Sequence, residues 1–435
     1  MTRERRRVAI TGVGLVTPVG NSASETWDAI RNGRSGVAPI ASFDADGFPV
    51  RIAAEVKGVE ALAGAIPRRR LKLANRFHRF ALVAAAEAIR DAGIQVTDAT
   101  ADRWSCVVGS GMLGMEFPEL QALHRRLAAD GRLDAERLFD DGMAVADPMA
   151  FCRSQANAGL SLLVESFGIR GYASSVHTAC ASGGQAVGAA MKLIRRGKAD
   201  VALAGGCDSM ITPVGLAGFC LLGALSADND AFTRASRPFD RTRNGFVLGE
   251  GAGFLVLEEW AAAQQRGARI YAELAGDGNS LSSYRITDSH PSGDGPIQAM
   301  RWALADAGAR PADVGYINAH GTSTPMNDRS ECAAIRAVFG SHTERVAVSS
   351  TKSLMGHLIA GAGAVEAVIC ALAIHHGMVP VNANLRERDP ECALDFVCDA
   401  PRRTRVGVGL SNSFGFGGSN SCLVLRNPDD VHVPR

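Results

Sequence analysis

A chain of 435 residues with 48 glycines and only 6% aromatic residues is long enough to bury a large α/β core, and its composition suits tight turns and closely packed helices. Its 46 Lys and Arg against 45 Asp and Glu give a net charge of +1, which argues against global electrostatic attraction to nucleic acid or to a membrane. The ten cysteines form no CxxC pair and read as small buried hydrophobes of a reducing, cytoplasmic compartment; there is no signal-peptide core and no apolar run of about 18 residues, so no membrane span is expected.

The first element is a strand over residues 8–14 ending in TGVG, followed by a turn at Pro18 and a helix capped by Asn21 or Ser22 that runs to residue 30. The glycine pattern lacks the third glycine and the ribose-binding acid of a dinucleotide loop. Residues 34–66 are irregular. A basic run follows, Arg68, Arg69, Arg70, Lys72, Arg76, His78 and Arg79, leading into an amphipathic helix over 80–92. Such a run is usually a solvated helix start; the alternative is a surface for an acidic partner. A strand over 106–111 ends in glycine, and residues 112–150 read as an insertion.

A β-favouring run over 175–178 then breaks at Ala179-Cys180, and small residues begin a helix of about 16 residues, roughly 24 Å long, that ends in Arg195, Arg196, Gly197 and Lys198. Its glycines imply close backbone packing in return for their helix penalty of about 1 kcal/mol each. At the start of such a helix the positive pole favours thiolate over thiol, and free N–H groups can bind an oxyanion. A lone cysteine in this setting is still more often structural. Residues 200–206 form an apolar strand, GLAGFCLLGALS is glycine-rich, and another strand covers 253–257.

The pattern then starts again. AIRDAG at 88–93 precedes a strand ending CVVGSG, and ALADAG at 303–308 precedes a strand ending YINAHG, so the chain divides into two similar α/β halves, 1–260 with Cys180 and 261–435 with two histidines. His320 ends the strand over 314–319. His357 lies five residues after Lys352 in a glycine-rich turn that opens a helix over 358–374. Near the C-terminus NSFGFGG is either a plain hairpin or a loop that offers backbone N–H groups and an aromatic gate.

TACASG, RPFD…NGFVLGEGAG, NAHGTSTP, SSTKSLMGH and NSFGFGG occur in that order, and over residues 8–425 the chain resembles the β-ketoacyl-[acyl carrier protein] synthases of the Cys-His-His type, condensing enzymes of the thiolase-like superfamily. The resemblance implies a thiolase-like five-layered α/β/α/β/α fold of two similar halves, a homodimer, no cofactor and no metal. It implies that Cys180 takes an acyl chain as a thioester, with backbone N–H groups of Cys180 and Phe416 as oxyanion hole. His320 and His357 would bind the malonyl thioester during decarboxylation, as neutral imidazoles donating from Nε2. Lys352 and Glu331 would form a buried ion pair ordering the site. Thr322 and Thr324 would hold the phosphopantetheine arm, with Phe414 and Gly417 also binding substrate and Phe416 gating the acyl tunnel. Arg68, Arg69, Arg70 and Lys72 would dock the acidic acyl carrier protein. The implied reaction is fatty-acid chain elongation. Met326-Asn327-Asp328 departs from the family's GTSTPxGD pattern and is similar to type II polyketide and nodulation-type enzymes, so a specialised polyketide or modified-lipid ketosynthase is the alternative. A non-catalytic chain-length-factor-like partner would lack the nucleophile, and a degradative thiolase would use a second cysteine where this chain has NSFGFGG; Cys422 lies beyond it.

Overall fold

The structure of the protein, a computed structural model, describes residues 5–64, 66–111, 116–129, 132–134, 136, 147–287 and 290–430. Much of the 112–150 insertion lies outside the described residues.

Eleven strands build the central sheet: β1 Val8–Val16, β2 Trp104–Ser110, β3 Ala173–Val176, β4 Val201–Ser209, β5 Glu250–Glu259, β6 Ala272–Leu281, β7 Val314–Asn318, β8 Ala347–Ser349, β9 Asp395–Phe396, β10 Val408–Phe414 and β11 Ser419–Arg426. Their order is β9-β8-β7-β10-β11-β6-β1-β5-β4-β2-β3. Read outward from the centre, the first five strands run 1-5-4-2-3 and the next five repeat that sequence as 6-11-10-7-8, with the same parallel and antiparallel pairings. The two sheets join edge to edge where Ala9 faces Glu273 and Ile10 faces Ala272.

Around them lie α1 Ala23–Arg31, α2 Arg68–Leu71, α3 Arg76–Ala92, α4 Ser182–Arg195, α5 Pro213–Leu221, α6 Asp294–Ala307, α7 Pro325–Phe339 and α8 Ala362–His376. Helix α3 packs on β1, β4 and β5, and α6 packs on β6 and β11. Helices α4 and α8 pack on each other and on strands of both halves, so they form the central layer. This is the five-layered α/β/α/β/α arrangement. The glycines of α4 have the expected role: a Cβ on Gly183 would meet Ala364 N at 2.7 Å, and one on Gly363 would meet Gly184 N at 2.6 Å. The two helices therefore cross at backbone contact.

One expectation changes. The stretch 359–376 does reach the length and apolarity of a membrane span, but 89% of it is buried inside the protein, because α8 is covered on all sides in the central layer. The glycine-rich segment after β4 is helical over Pro213–Leu221: the Thr212 side chain accepts from Gly215 N–H and Pro213 occupies the first turn, which outweighs the glycine penalty.

Candidate active site

Strand β3 ends at Val176, and a single 3₁₀ turn, Ala179–Ala181, leads into α4; the same 3₁₀ turn, Ile359–Gly361, leads into α8. Ala179 and Ile359 open these turns with positive φ, 49° and 45°, an unfavourable conformation for residues with a Cβ. The pseudo-twofold relation thus sets Cys180 opposite the loop that carries His357. His357 Nδ1 accepts from Ile359 N–H at 3.2 Å, so the neutral ring carries its proton on Nε2, which lies 3.1 Å from Cys180 Sγ and donates to it. The His320 ring stands edge-on to His357, with centroids 5.2 Å apart. The sulfur and one nitrogen of each ring lie within 4.8 Å of one another, close enough that the three donors could also converge on a metal ion.

All three groups are buried. Burial and the nearby Lys352 charge hold both histidines well below the ordinary imidazole range, so they are neutral. Burial also pushes the Cys180 thiol up to about 12, against the pull of Lys352 and of the Phe416 and Cys180 backbone N–H groups. The expected thiolate preference at the helix start is therefore overridden by desolvation, and the resting group is a thiol. The two amides that pull on the sulfur are those expected to form the oxyanion hole.

The loop after β7 is caged by carboxylates from α7. Glu331 accepts from His320 N–H at 2.9 Å and Gly321 N–H at 2.8 Å, and Asp328 accepts from Thr322 N–H and Ser323 N–H. Asp328 also accepts from Phe239 N–H and pairs with buried Arg243. Asp328, which matches the acid of the GTSTPxGD pattern, is thus a structural brace, and the departure itself is Asn327, whose Nδ2 donates to Asp328 at 3.1 Å. Glu331 does not pair with Lys352, contrary to expectation. Lys352 Nζ is bonded instead to Glu366 of α8, both buried, while Glu331 is occupied by the two backbone donors and by Asn412 Nδ2 at 3.1 Å.

A cavity of about 560 Å³ connects these groups. Cys180, His320, His357, Thr322, Thr324, Phe414 and Phe416 all line it, with the Thr322 and Thr324 hydroxyls 2.9 Å apart. Gly417 does not line it; it is exposed at φ 79°, and its N–H donates to Ile286 O at 2.6 Å. Gly415 is the close-approach glycine, since a Cβ there would meet Thr178 O at 2.7 Å and Cys180 N at 3.1 Å. The half-buried Phe416 ring faces Phe219 of α5 at 6.5 Å.

The basic run divides. Arg68, Arg69 and Lys72 are exposed and Arg70 is half-buried. Arg76 turns inward to a bidentate bond with buried Glu250, and His78 is buried, accepting from Asn75 N–H and held at about 3 by desolvation. Those two are not available to a partner.

Sequence comparison agrees with this geometry: residues 5–263 match the model of the β-ketoacyl synthase N-terminal domain, and residues 271–386 match that of its C-terminal domain. The chain belongs to the β-ketoacyl synthase family. Among curated β-ketoacyl synthases it is 41% identical to the 3-oxoacyl-[acyl-carrier-protein] synthase 2 of Synechocystis sp., covering 97% of this chain and 98% of the relative, and 40% identical to that of Coxiella burnetii, covering 98% and 100%. Among solved structures, a β-ketoacyl synthase from Burkholderia phymatum aligns with TM-score 0.87 at 33% identity over 97% of this chain and 99% of the other. The ketosynthase of AntDE:AntF, a type II PKS complex with its acyl-carrier protein, aligns with TM-score 0.87 at 31% identity over 98% and 100%.

Sequence reasoning missed Glu366 and Phe219. The signal for Glu366 was present, since a single acid in the otherwise apolar AGAVEAVICALAI must find a cation when buried. Phe219 gave no signal, because its role arises only from the docking of α5 against the Phe416 hairpin.

Proposed function

We propose that this β-ketoacyl synthase carries out decarboxylative Claisen condensation of a Cys180-bound acyl group with a malonyl thioester on acyl carrier protein, giving the 3-oxoacyl product in fatty-acid chain elongation. The observation that carries this reading is the neutral His357 donating from Nε2 to Cys180 Sγ beside an equally buried His320, at the floor of one cavity. In the first step Cys180 attacks the acyl thioester, the acyl–sulfur bond to the carrier breaks, and the thiol proton ends on the carrier's released thiol. The amides of Cys180 and Phe416 stabilise the oxyanion. In the second step the malonyl carboxylate leaves as CO2, and the enolate oxygen accepts hydrogen bonds from His320 and His357. The resulting carbon nucleophile displaces Cys180 from the acyl carbonyl as a thiolate, which takes up one proton from solvent to restore the resting thiol. No strong base is needed, which suits two histidines held neutral.

Lys352, through Glu366, fixes the charge behind these rings, and Glu331 positions His320. Thr322 and Thr324 suit the amide-rich pantetheine arm, and Phe414 packs against His320 at 5.6 Å between ring centroids. Gly417 enters this scheme only through its backbone conformation. Exposed Arg68, Arg69 and Lys72, with Arg70 beside them, suit an acidic carrier protein. The halves 1–260 and 261–435 would each supply one side of the site. A cytoplasmic homodimer is supported by ten unpaired cysteines and by edge strand β3, which has no outer neighbour among the described residues. The test is incubation with acyl- and malonyl-carrier proteins followed by peptide mapping. Acylation confined to Cys180 and a 3-oxoacyl product are expected; acylation of Cys207 or Cys422 with Cys180 untouched would overturn the proposal.

A further inference from the structure

Helices α4 and α8 begin alike, each after a 3₁₀ turn, and the pseudo-twofold relation makes Ala360 the counterpart of Cys180. The Cys180 amide is turned to its own sulfur. The equivalent amide of Ala360 is taken: it donates to Asp208 Oδ2 at 3.0 Å. Asp208 stands near the end of β4, in the first half of the chain, and is completely buried. Two glycines make room for this contact. A Cβ on Gly111 would meet Asp208 Oδ1 at 2.0 Å, and one on Gly206 would meet Ala360 O at 2.9 Å. Burial pushes the Asp208 carboxyl up to about 7, so the acid carries a cost that an apolar side chain here would avoid.

The same turn holds His357. Ile359 N–H, one peptide before the amide on Asp208, donates to His357 Nδ1 at 3.2 Å. With Nδ1 accepting, the ring proton sits on Nε2 and points at Cys180 Sγ, 3.1 Å away. The other tautomer would set the Nδ1 proton against the Ile359 proton. The relative aim of these two successive amides is set at Ile359, whose φ of 45° a β-branched residue disfavours and surrounding contacts must hold. Of the turn's three amides, Gly361 N–H bonds to Leu358 O, Ile359 N–H holds His357, and Ala360 N–H alone is anchored on the sheet, through Asp208.

The two histidines are thus steadied from opposite sides. Glu331 takes the His320 and Gly321 N–H groups of the loop after β7, and Asp208 takes the Ala360 N–H of the turn after His357. We propose that Asp208 is a positioning residue for condensation: by anchoring the Ala360 amide it fixes the Ile359–Gly361 turn and, through the Ile359 amide, the Nε2-protonated tautomer of His357. This rests on the decarboxylation reading of His357 and adds the group that sets its proton.

The test compares wild type with Asp208→Ala, which removes the anchor, and with Asp208→Asn, which keeps a side-chain oxygen for Ala360 N–H without the charge. The His357 tautomer is read from 15N spectra of protein labelled at histidine, assigned with His357→Gln, and acylation of Cys180 and CO2 release from malonyl-carrier protein are measured separately. Asp208→Ala is expected to move the His357 proton partly to Nδ1 and to slow CO2 release on the order of tenfold or more, with acylation of Cys180 kept. Asp208→Asn is expected to restore both the tautomer and CO2 release. A wild-type tautomer in Asp208→Ala would overturn the proposal. So would an Asp208→Asn defect equal to that of Asp208→Ala, which would assign the effect to charge, or losses of acylation and CO2 release by the same factor, as a loosened fold gives. If the wild-type protein neither acylates Cys180 nor releases CO2, the condensing-enzyme reading falls, while the tautomer comparison still decides whether Asp208 sets the His357 proton.

Discussion

Replacing Glu366 by Gln would leave the Lys352 ammonium 1% exposed and without its counter-charge. Breaking one partner of a buried ion pair costs about 3–5 kcal/mol, whereas replacing both by apolar groups of similar volume is often close to neutral. Lys352→Met with Glu366→Leu should therefore be far less destabilised than the sum of Lys352→Met and Glu366→Leu taken singly, with a coupling of about 2 kcal/mol or more. Urea unfolding of the four proteins, followed by circular dichroism, measures this coupling. Because Lys352 also helps to hold His320 and His357 neutral, the double variant should lose condensation even if its fold is restored. Additivity within about 0.5 kcal/mol, or strong coupling of Lys352 to Glu331 in place of Glu366, would refute the assignment.

His78 is held at about 3 in the fold against an ordinary value of 6.5. Its neutral form is favoured by folding, so its contribution to stability is present above pH 6.5 and is lost as pH falls toward 3, at up to about 1.4 kcal/mol per pH unit. The stability difference between wild type and His78→Phe should change at about that slope between pH 6.5 and 4 in urea titrations, and a constant difference would contradict it. Gly415→Ala, whose Cβ would press on the Cys180 turn, should slow acylation at least tenfold, while Gly417→Ala, strained only by its φ of 79°, should cost about 1 kcal/mol of stability with a smaller rate effect; the reverse order in stopped-flow acylation would place the critical contact elsewhere. Charge reversal at Arg68, Arg69 and Lys72 should raise KM for carrier-bound substrate on the order of tenfold in a salt-dependent way and leave pantetheine substrates unaffected. Equal losses with both substrates would make the cluster structural.

The repeat of AIRDAG and ALADAG, and the small residues after Cys180 and His357, made the two-half fold and the meeting of Cys180, His320 and His357 legible before any coordinates. These features are local: strand ends, tight turns and helix starts leave their marks in neighbouring residues. What could not be read was pairing at long range. Lys352 had two candidate acids on different helices, and only the central packing of α8 selects Glu366, while Glu331 spends its oxygens on the loop beside it. The balance of effects on the Cys180 thiol was hidden for a similar reason. The helix start and its amides are visible in the sequence, but the burial that outweighs them comes from residues of both halves packing around Cys180. The basic run read as one patch although Arg76 and His78 turn into the core, a distinction set by the face of α3 that meets the sheet.

The central claim separates the cysteine, which accepts the acyl chain, from the histidines, which serve decarboxylation. Acyl transfer to Cys180 and release of labelled CO2 from malonyl-carrier protein, measured separately in His320→Ala and His357→Ala, test this division most directly. Substantial self-acylation with CO2 release reduced at least a hundredfold is predicted for both variants, on the scale of general acid–base and hydrogen-bonding contributions to catalysis. Loss of acylation in both, with folding intact, would contradict it and assign the histidines to activation of the thiol.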